Sequence, residues 1–232
     1  MIYEYFIFNI IVFTGPFVLS FDRKVHFYTH WSRFLKALVI PATIFIFWDT
    51  QVAGSHWWFN EAFTLPYRIS HLPVGEWLFF FTVPYACVFT WEVFKAYFKN
   101  KTIDATHFYN PILWTVSIII SVVLYFTGLE YTGLALAAFS LAVVSDRFLE
   151  TYLMKRSLFL WLLGLIVVFT LIFNGYLTAR PVVLYDYNFQ LNLLVGTIPI
   201  EDFIYGLSLM YHVVVLYEWL QSKTSDFVTE KV

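Results

Sequence analysis

Six acidic residues stand beside long apolar stretches of this chain: Asp49, Glu61, Glu76, Asp186, Glu201 and Asp202. Ionised carboxylates are costly next to hydrocarbon, so acids in such places usually mark catalysis, proton transfer or transport. A carboxyl group that is kept neutral by burial or by a like-charged neighbour can donate a proton to a weakly basic substrate. The adjacent Glu201 and Asp202, with Glu76 at a matching place in the other half of the chain, fit this chemistry best.

The composition is that of an integral membrane protein. The 232 residues are 60% hydrophobic, 22% aromatic and 13% charged, with a mean hydropathy of +0.70, whereas soluble domains carry about 25% charged residues. The single cysteine, Cys87, excludes a disulfide framework and a cysteine metal site. No basic cluster suggests nucleic-acid binding. The N-terminal apolar run lacks a basic start and a cleavage site, so we expect a retained helix.

Seven apolar stretches are long enough to cross a bilayer, which takes roughly 20 residues. They cover about 2–20, 33–50, 76–97, 111–128, 131–149, 157–177 and 203–221. The runs are continuously apolar and lack two-residue alternation, so strands are not expected. The sequence predicts an all-α membrane protein with a seven-transmembrane helix bundle.

The basic residues indicate an orientation in the cell membrane. With seven spans, twelve of the fourteen Lys and Arg residues fall on one side, and only Arg68 and Arg180 on the other. Because cytoplasmic loops carry the excess of basic residues, we predict an external N-terminus and a cytoplasmic C-terminus. The acids named above then lie near the outer ends of the spans.

The two halves of the chain resemble each other. Residues 72–77 (LPVGEW) match residues 198–203 (IPIEDF), and residues 57–60 (WWFN) match residues 185–188 (YDYN). Self-similarity at a long period indicates a duplicated unit. We predict two parallel three-helix repeats, in residues 1–110 and 131–232, joined by a linking helix in residues 111–130. Parallel repeats place a pseudo-two-fold axis along the membrane normal, with a site near it.

An alternative for these acids is purely structural. In each half a proline precedes an acid at the start of an apolar helix, and both residue types are favourable in the first turn of a helix. Two adjacent acids, Glu201 and Asp202, exceed what this role needs.

These motifs resemble those of the small integral-membrane lycopene cyclases, which occur as paired subunits or as one fused tandem chain. That family has a Pro-x-Glu-Glu/Asp motif opening a helix in each half, and here it reads Pro199-Ile200-Glu201-Asp202. Its Trp-Asp and Trp-x-Phe-Asn segment appears as Trp48-Asp49 and as residues 57–60. The first half departs from the pattern, because Gly75 stands where the family usually has an acid.

The resemblance implies a lycopene β-cyclase, an isomerase of carotenoid biosynthesis that works without a flavin or nicotinamide. The chain has no G-x-G-x-x-G motif for a dinucleotide, and we predict no cofactor and no metal. Ring closure needs an acid that protonates the terminal C=C bond of an acyclic ψ end, and a dry pocket that protects the cation. Glu201 is expected to be the acid, tuned by Asp202 or Glu76, with Asp49 and Asn60 orienting groups or relaying protons.

Residues expected to bind the substrate follow from the same motifs: Trp57, Trp58, Phe59, Asn60, Trp77, Tyr185, Asn188 and Pro199. Aromatic faces stabilise cations by roughly 0.5–2 kcal/mol each. The substrate, lycopene, is expected to arrive from the bilayer through a lateral opening between helices. Membrane lipid and other carotenoid enzymes are the expected partners.

Three other functions stay open at this point. A carotenoid ε-cyclase removes a different proton, and a hydratase lets water capture the same cation. A proton-coupled transporter is the alternative from another class, although the middle of spans 4 to 6 is nearly free of charge. A retinal protein is disfavoured because the last span holds no lysine for a Schiff base.

Overall fold

The computed structural model describes residues 2–229, with side chains up to residue 223; Lys231, one of the twelve basic residues on the predicted cytoplasmic side, lies outside this range. The helices are α1 (Glu4–Leu19), α2 (Trp31–Val52), α3 (Val74–Tyr97), α4 (Pro111–Phe126), α5 (Glu130–Phe148), α6 (Ser157–Phe169), α7 (Gly175–Ala179) and α8 (Ile200–Thr229). A π-helical segment, Thr170–Asn174, joins α6 to α7 into one continuous helix. Short 3₁₀ turns cover Phe27–His30, Thr106–Tyr109, Leu153–Lys155 and Tyr187–Phe189.

Helices occupy all seven of the predicted stretches. Four helical segments of the described chain are long and apolar enough to cross a membrane: Phe27–Val52, Val74–Tyr97, Ser157–Ala179 and Ile200–Lys223. Helices α1 and α4 are apolar but shorter. The chain is therefore a mainly helical membrane protein, and crossing of the bilayer by all seven helices stays a prediction.

Six short strands lie in the loops of the described residues, whereas the apolar runs of the sequence predicted no strands. They are β1 (Trp57–Phe59), β2 (Arg68–Ile69), β3 (Leu72–Pro73), β4 (Val183–Tyr185), β5 (Leu194–Val195) and β6 (Ile198–Pro199). Each has two or three residues, too few for an alternating pattern to be visible in the sequence. They satisfy backbone hydrogen bonds of the loops at one end of the bundle, which we call the acidic end because Asp49, Glu76 and Asp202 lie there.

The strand pairing relates the two halves of the chain. Antiparallel β1 and β4 pair Trp57 with Tyr185 and Phe59 with Val183. The two pairs are related by a shift of 126 residues between the halves: Trp57 corresponds to Val183, and Phe59 corresponds to Tyr185. The hairpins β2–β3 and β5–β6 have the same relation, with Arg68 opposite Pro73 and Leu194 opposite Pro199. By this shift, residues 59–60 correspond to residues 185–186, two positions away from the match suggested by the sequence.

Close helix packing builds the bundle around α3 and α8. Helix α1 packs along α3, α5 packs between α4 and α8, α2 contacts α3 and α8, and α6 contacts the same two helices. At the α4–α5 contact, a Cβ atom on Gly133 would lie 2.6 Å from the backbone oxygen of Ser121. Only glycine permits this approach of the two backbones.

Buried charges join the helices at the end of the bundle opposite the acidic end. The Glu218 carboxylate accepts hydrogen bonds from Trp91 Nε1 at 2.9 Å, Lys95 Nζ at 2.7 Å and Arg156 at 2.5 Å. Glu92, which corresponds to Glu218 by the 126-residue shift, accepts a hydrogen bond from the Tyr217 hydroxyl at 2.7 Å. These contacts link α3, α8 and the start of α6 in a region where an unpaired charge would be costly.

Candidate active site

Three carboxylates meet at one apolar cavity at the acidic end. Asp49 lies in the last turn of α2, and Glu76 and Asp202 lie in the first turns of α3 and α8. Because α3 and α8 begin directly after Pro73 and Pro199, each strand–helix junction places its acid at the same level of the bundle. All three acids line a cavity of about 410 Å³.

The remaining cavity wall is almost entirely hydrophobic and comes from both halves of the chain. Helices α1 and α3 contribute one side, and α6, the π-helical segment and α8 contribute the other. Strands β1 and β4 cover the cavity at the acidic end through Trp57, Phe59, Val183 and Tyr185. The carboxylates therefore face an apolar, largely aromatic space.

Asp49 and Glu76 form a pair. The Tyr5 hydroxyl donates to Glu76 Oε2 at 2.5 Å, and the Tyr205 hydroxyl donates to Asp49 Oδ1 at 3.2 Å. The two carboxyl groups are also within hydrogen-bonding reach of each other. Since an ionised carboxylate has no donor, such a contact requires that one of the two carries a proton. The pair is therefore arranged to hold a shared proton at the cavity.

Asp202 has a different environment. Its Oδ1 accepts a hydrogen bond from Tyr131 at 2.6 Å, and its Oδ2 accepts hydrogen bonds from Tyr185 at 2.6 Å and from Asn174 at 2.5 Å. Burial and the charge of Asp202 raise the pKa of the Tyr185 hydroxyl well above its usual range, so this group stays a donor. Three donors aimed at one carboxyl group favour its ionised form, whereas the burial of Asp202 opposes it. One cavity thus holds two carboxyl groups that are close enough to share a proton and a third that accepts three hydrogen bonds.

Glu201 is fully buried but is not among the residues that line the cavity. Its Oε1 accepts hydrogen bonds from the Thr132 hydroxyl at 2.6 Å and from the backbone N–H of Leu191 at 2.8 Å. Its Oε2 has no hydrogen-bond partner among the described residues. The side chain holds α8 to α5 and to the loop that precedes β5.

Gly75 occupies the position that corresponds to Glu201 in the first half. A Cβ atom there would lie 2.6 Å from Cδ1 of the Tyr5 ring. The close approach of Tyr5 explains why this half has glycine in place of an acid. It also brings the Tyr5 hydroxyl to Glu76.

Of the residues predicted to bind the substrate, Trp57, Phe59 and Tyr185 line the cavity. The Tyr185 ring also stacks against that of Tyr131, with 6.5 Å between the centroids and 6° between the planes. These rings stand beside the carboxylates, where they can contact a cationic intermediate.

The other five predicted residues are not part of the cavity wall. Trp58 is 41% exposed. Asn60 accepts a hydrogen bond from the Ala62 N–H, and Trp77 donates one to the Ile69 carbonyl. The remaining two residues, Asn188 and Pro199, lie in a 3₁₀ turn and in β6.

Four residues that donate hydrogen bonds to the carboxyl groups of the cavity did not appear among the predicted site residues: Tyr5, Asn174, Tyr131 and Tyr205. A signal for two of them exists in the sequence, because Glu4-Tyr5 and Glu130-Tyr131 are separated by the same 126 residues as Glu76 and Asp202. Asn174 reaches Asp202 from the π-helical segment, and no pattern in the sequence indicates that local widening. Such segments are frequent at functional sites.

A histidine beside the cavity cover adds a titratable group. His56 is buried, stacks on Phe189 with 4.2 Å between ring centroids, and contacts Glu130 at 3.1 Å. Burial lowers the pKa of His56, although Glu130 partly opposes that shift. Within residues 2–223, no group of three or more His, Cys, Asp or Glu side chains is arranged to hold a metal ion.

Comparison with known sequences identifies the family. The chain has no match among curated proteins or among solved structures. The family model for lycopene cyclase matches it twice, over residues 2–94 and 128–220, and the two matches are offset by 126 residues at both ends. That offset is the one found in the strand pairing and in the tyrosine–carboxyl contacts. Since these matches cover most of its length, the chain belongs to the lycopene cyclase family, in tandem form, and is an enzyme of carotenoid cyclisation.

Proposed function

We propose that this protein closes the ψ end groups of lycopene to β rings, as an isomerase that consumes no cofactor. The observation that carries the proposal is the charge arrangement of the cavity. Two carboxyl groups close enough to share one proton, and a third carboxyl group that accepts three hydrogen bonds, line one apolar cavity that is covered by aromatic rings. Proton donation and cation stabilisation are the two tasks of ring closure.

In the proposed mechanism the Asp49–Glu76 pair is the proton donor. Its shared proton forms a C–H bond at the terminal double bond, which leaves a tertiary cation. The electron pair of the internal double bond then forms the ring bond and moves the positive charge into the ring. Tyr5 and Tyr205 hold the two carboxyl groups in place for this transfer.

Asp202 stabilises the cation and accepts the proton that leaves. Loss of the proton at the ring junction gives the β ring, and loss from the neighbouring CH₂ gives the ε ring. The position of the carboxylate relative to the ring therefore decides the isomer. One proton is added and one is lost, so the overall reaction is an isomerisation.

Water must be excluded, because it would trap the cation as an alcohol. The cover formed by β1 and β4 supports a dry site, since Trp57 is 5% exposed and Val183 is 8% exposed. Hydration of the cation stays a possible outcome of the experiment below.

We assign Glu201 a positioning role in place of the donor role expected from the sequence. Its hydrogen bonds to Thr132 and to the Leu191 N–H support this assignment, because Thr132 follows Tyr131, which donates to Asp202. Glu201 then acts on the reaction through the position of Tyr131.

The test is expression in a lycopene-accumulating bacterium, followed by pigment chromatography. The wild type should convert lycopene to ring-containing carotenoids, and unchanged lycopene would refute the proposal. Glu76→Gln and Asp202→Asn should each lower the rate by on the order of 10²–10⁴-fold, the usual contribution of a positioned acid or base. Glu61→Gln is the matched control, because Glu61 is an exposed acid at the same end of the bundle.

Glu201→Gln separates the two assignments. A glutamine can still accept both hydrogen bonds through its amide oxygen, so cyclisation should persist at a reduced rate if Glu201 is a positioning residue. Complete loss of cyclisation in a variant that accumulates normally would return the donor role to Glu201.

We also propose the repeat limits and orientation expected from the sequence. The repeats would be residues 1–110 and 131–232 with the linker 111–130, and the acidic end would face outward. Reporter fusions after residue 232 should report a cytoplasmic C-terminus. An external reporter signal would reverse the orientation.

A further inference from the structure

The cavity extends far beyond the carboxylates. On α3 the lining residues Phe79, Val83, Ala86 and Thr90 follow helical spacing and form one stripe. From Glu76 to Thr90 this wall runs about 21 Å at 1.5 Å per residue. The acids thus occupy one end of a long apolar channel, which is the shape expected for a linear hydrocarbon.

One side of this channel reaches the surface of the bundle. Among the lining residues of α1, Ile11 is 66% exposed and Leu19 is 55% exposed, and Gly15 between them is exposed as well. On α6, the lining residue Phe169 is 37% exposed. Residues that both line the cavity and reach the exterior mark an opening between α1 and α6.

At the acidic end this gap is closed. The Phe8 and Phe173 rings meet edge to face with 5.7 Å between centroids. Above them, Glu4 accepts hydrogen bonds from Tyr176 at 2.6 Å and from Arg180 at 2.9 Å. The opening is therefore confined to the apolar part of the two helices, where lipid chains and not water surround the protein.

We infer that the acyclic carotenoid enters sideways from the bilayer between α1 and α6 and lies in this channel with one end at the carboxylates. Its polyene follows the stripe on α3, passes Gly15, and its distal end stays in the lipid. This inference rests on the proposed function, and it assigns α1 and α6 as the substrate entry. One end group reacts at each visit.

Gly15 offers a direct test, because a Cβ atom there meets nothing within 4 Å and the substitution therefore starts from open space. Gly15→Phe should narrow the channel about ten residues from Tyr5. Gly164→Phe is the matched control: Gly164 is also exposed, also has open space, and lies on α6 away from the cavity wall. Both variants add the same ring to a lipid-facing helix.

The measurement compares two substrates in membranes that contain each variant. One substrate is lycopene, and the other is an acyclic analogue with the same end group that is too short to reach Gly15. For Gly15→Phe, the ratio of kcat/KM for lycopene to that for the short analogue should fall at least tenfold. The ratio should be unchanged for Gly164→Phe.

An unchanged ratio in Gly15→Phe would overturn the assigned entry, whether or not both rates fall together. If Gly15→Phe does not accumulate, Gly15→Leu provides the same comparison with a smaller side chain. Loss of all ring formation in the wild type would instead refute the proposed function, so the two failures are distinguishable.

Discussion

The contact between Gly75 and Tyr5 gives a prediction that joins packing to catalysis. In Gly75→Ala the new Cβ would lie 2.6 Å from Tyr5 Cδ1 and 2.8 Å from Tyr5 Cγ, whereas ordinary contacts begin at 3.4 Å. The root of the ring must therefore retreat by about 0.8 Å. Because the clashing atoms lie near the backbone of α1, rotation of the side chain alone cannot relieve it.

The free energy of the change has three parts. Overpacking at a tight contact costs about 1–3 kcal/mol. Displacement of the Tyr5 hydroxyl weakens its hydrogen bond to Glu76, and hydrogen bonds to charged groups contribute about 1.5–3 kcal/mol. Alanine is better than glycine in a helix by up to about 1 kcal/mol. The first two effects exceed the third, so we expect net destabilisation of about 2–4 kcal/mol.

Thermal unfolding in detergent and the cyclisation rate in membranes would measure this effect. Gly164→Ala is the control, because its Cβ meets nothing within 4 Å and only the helix preference changes. Tyr5→Phe keeps the ring and removes the hydroxyl, so it isolates the hydrogen bond to Glu76. A Gly75→Ala variant as stable and as active as Gly164→Ala would refute the close packing of Tyr5 against Gly75.

Three further substitutions probe separate parts of the molecule. Tyr185→Phe removes one of the three donors to Asp202 and should slow cyclisation by about 10- to 100-fold, as expected for the loss of a hydrogen bond to a charged group. Steady-state kinetics would measure this decrease, and an unchanged rate would contradict the proposed role of Asp202. Glu218→Ala removes the carboxylate that Lys95 and Arg156 share, although Lys95 keeps its contact with Glu92 at 2.8 Å, and should lower the free energy of unfolding by about 2 kcal/mol in thermal unfolding, with the activity of the folded protein retained. His56 has a lowered pKa, so its contribution to stability is complete above the unfolded value near 6.5 and decreases as the pH falls below it. The free energy of unfolding of His56→Gln should therefore decrease less at acidic pH than that of the wild type. An equal slope of this free energy against pH in both proteins would exclude His56 as the cause of the acid sensitivity.

The internal repeat shows what local sequence motifs can predict and where they fail. The matching Pro-acid motifs predicted a duplicated unit, and the two family matches confirm the tandem architecture. The pairing of residues 57–60 with 185–188 was shifted by two positions, because short aromatic motifs align equally well in several registers. The β1–β4 pairing fixes the register through backbone hydrogen bonds between segments that are far apart in the chain.

Part of the candidate site was also predictable from the sequence, and part of it was not. The sequence supplied Asp49, Glu76, Asp202, Trp57 and Tyr185, all of which line the cavity. Their tyrosine partners come from the starts of α1 and α5 and from the interior of α8. Tyrosines are common throughout this chain, so only their distance to a carboxyl group distinguishes these from the others.

The sequence by itself determined where the helices run and which acids they carry, because in lipid an apolar segment must satisfy its own backbone hydrogen bonds and therefore becomes helical whatever its neighbours are. Only the tertiary structure decided which acids share the cavity. Neighbouring residues on a helix point about 100° apart, so the rotation of α8 against α5 and α2 turns Asp202 into the cavity and Glu201 away from it. That rotation depends on contacts between distant segments, and so do the widening at Asn174 and the opening between α1 and α6.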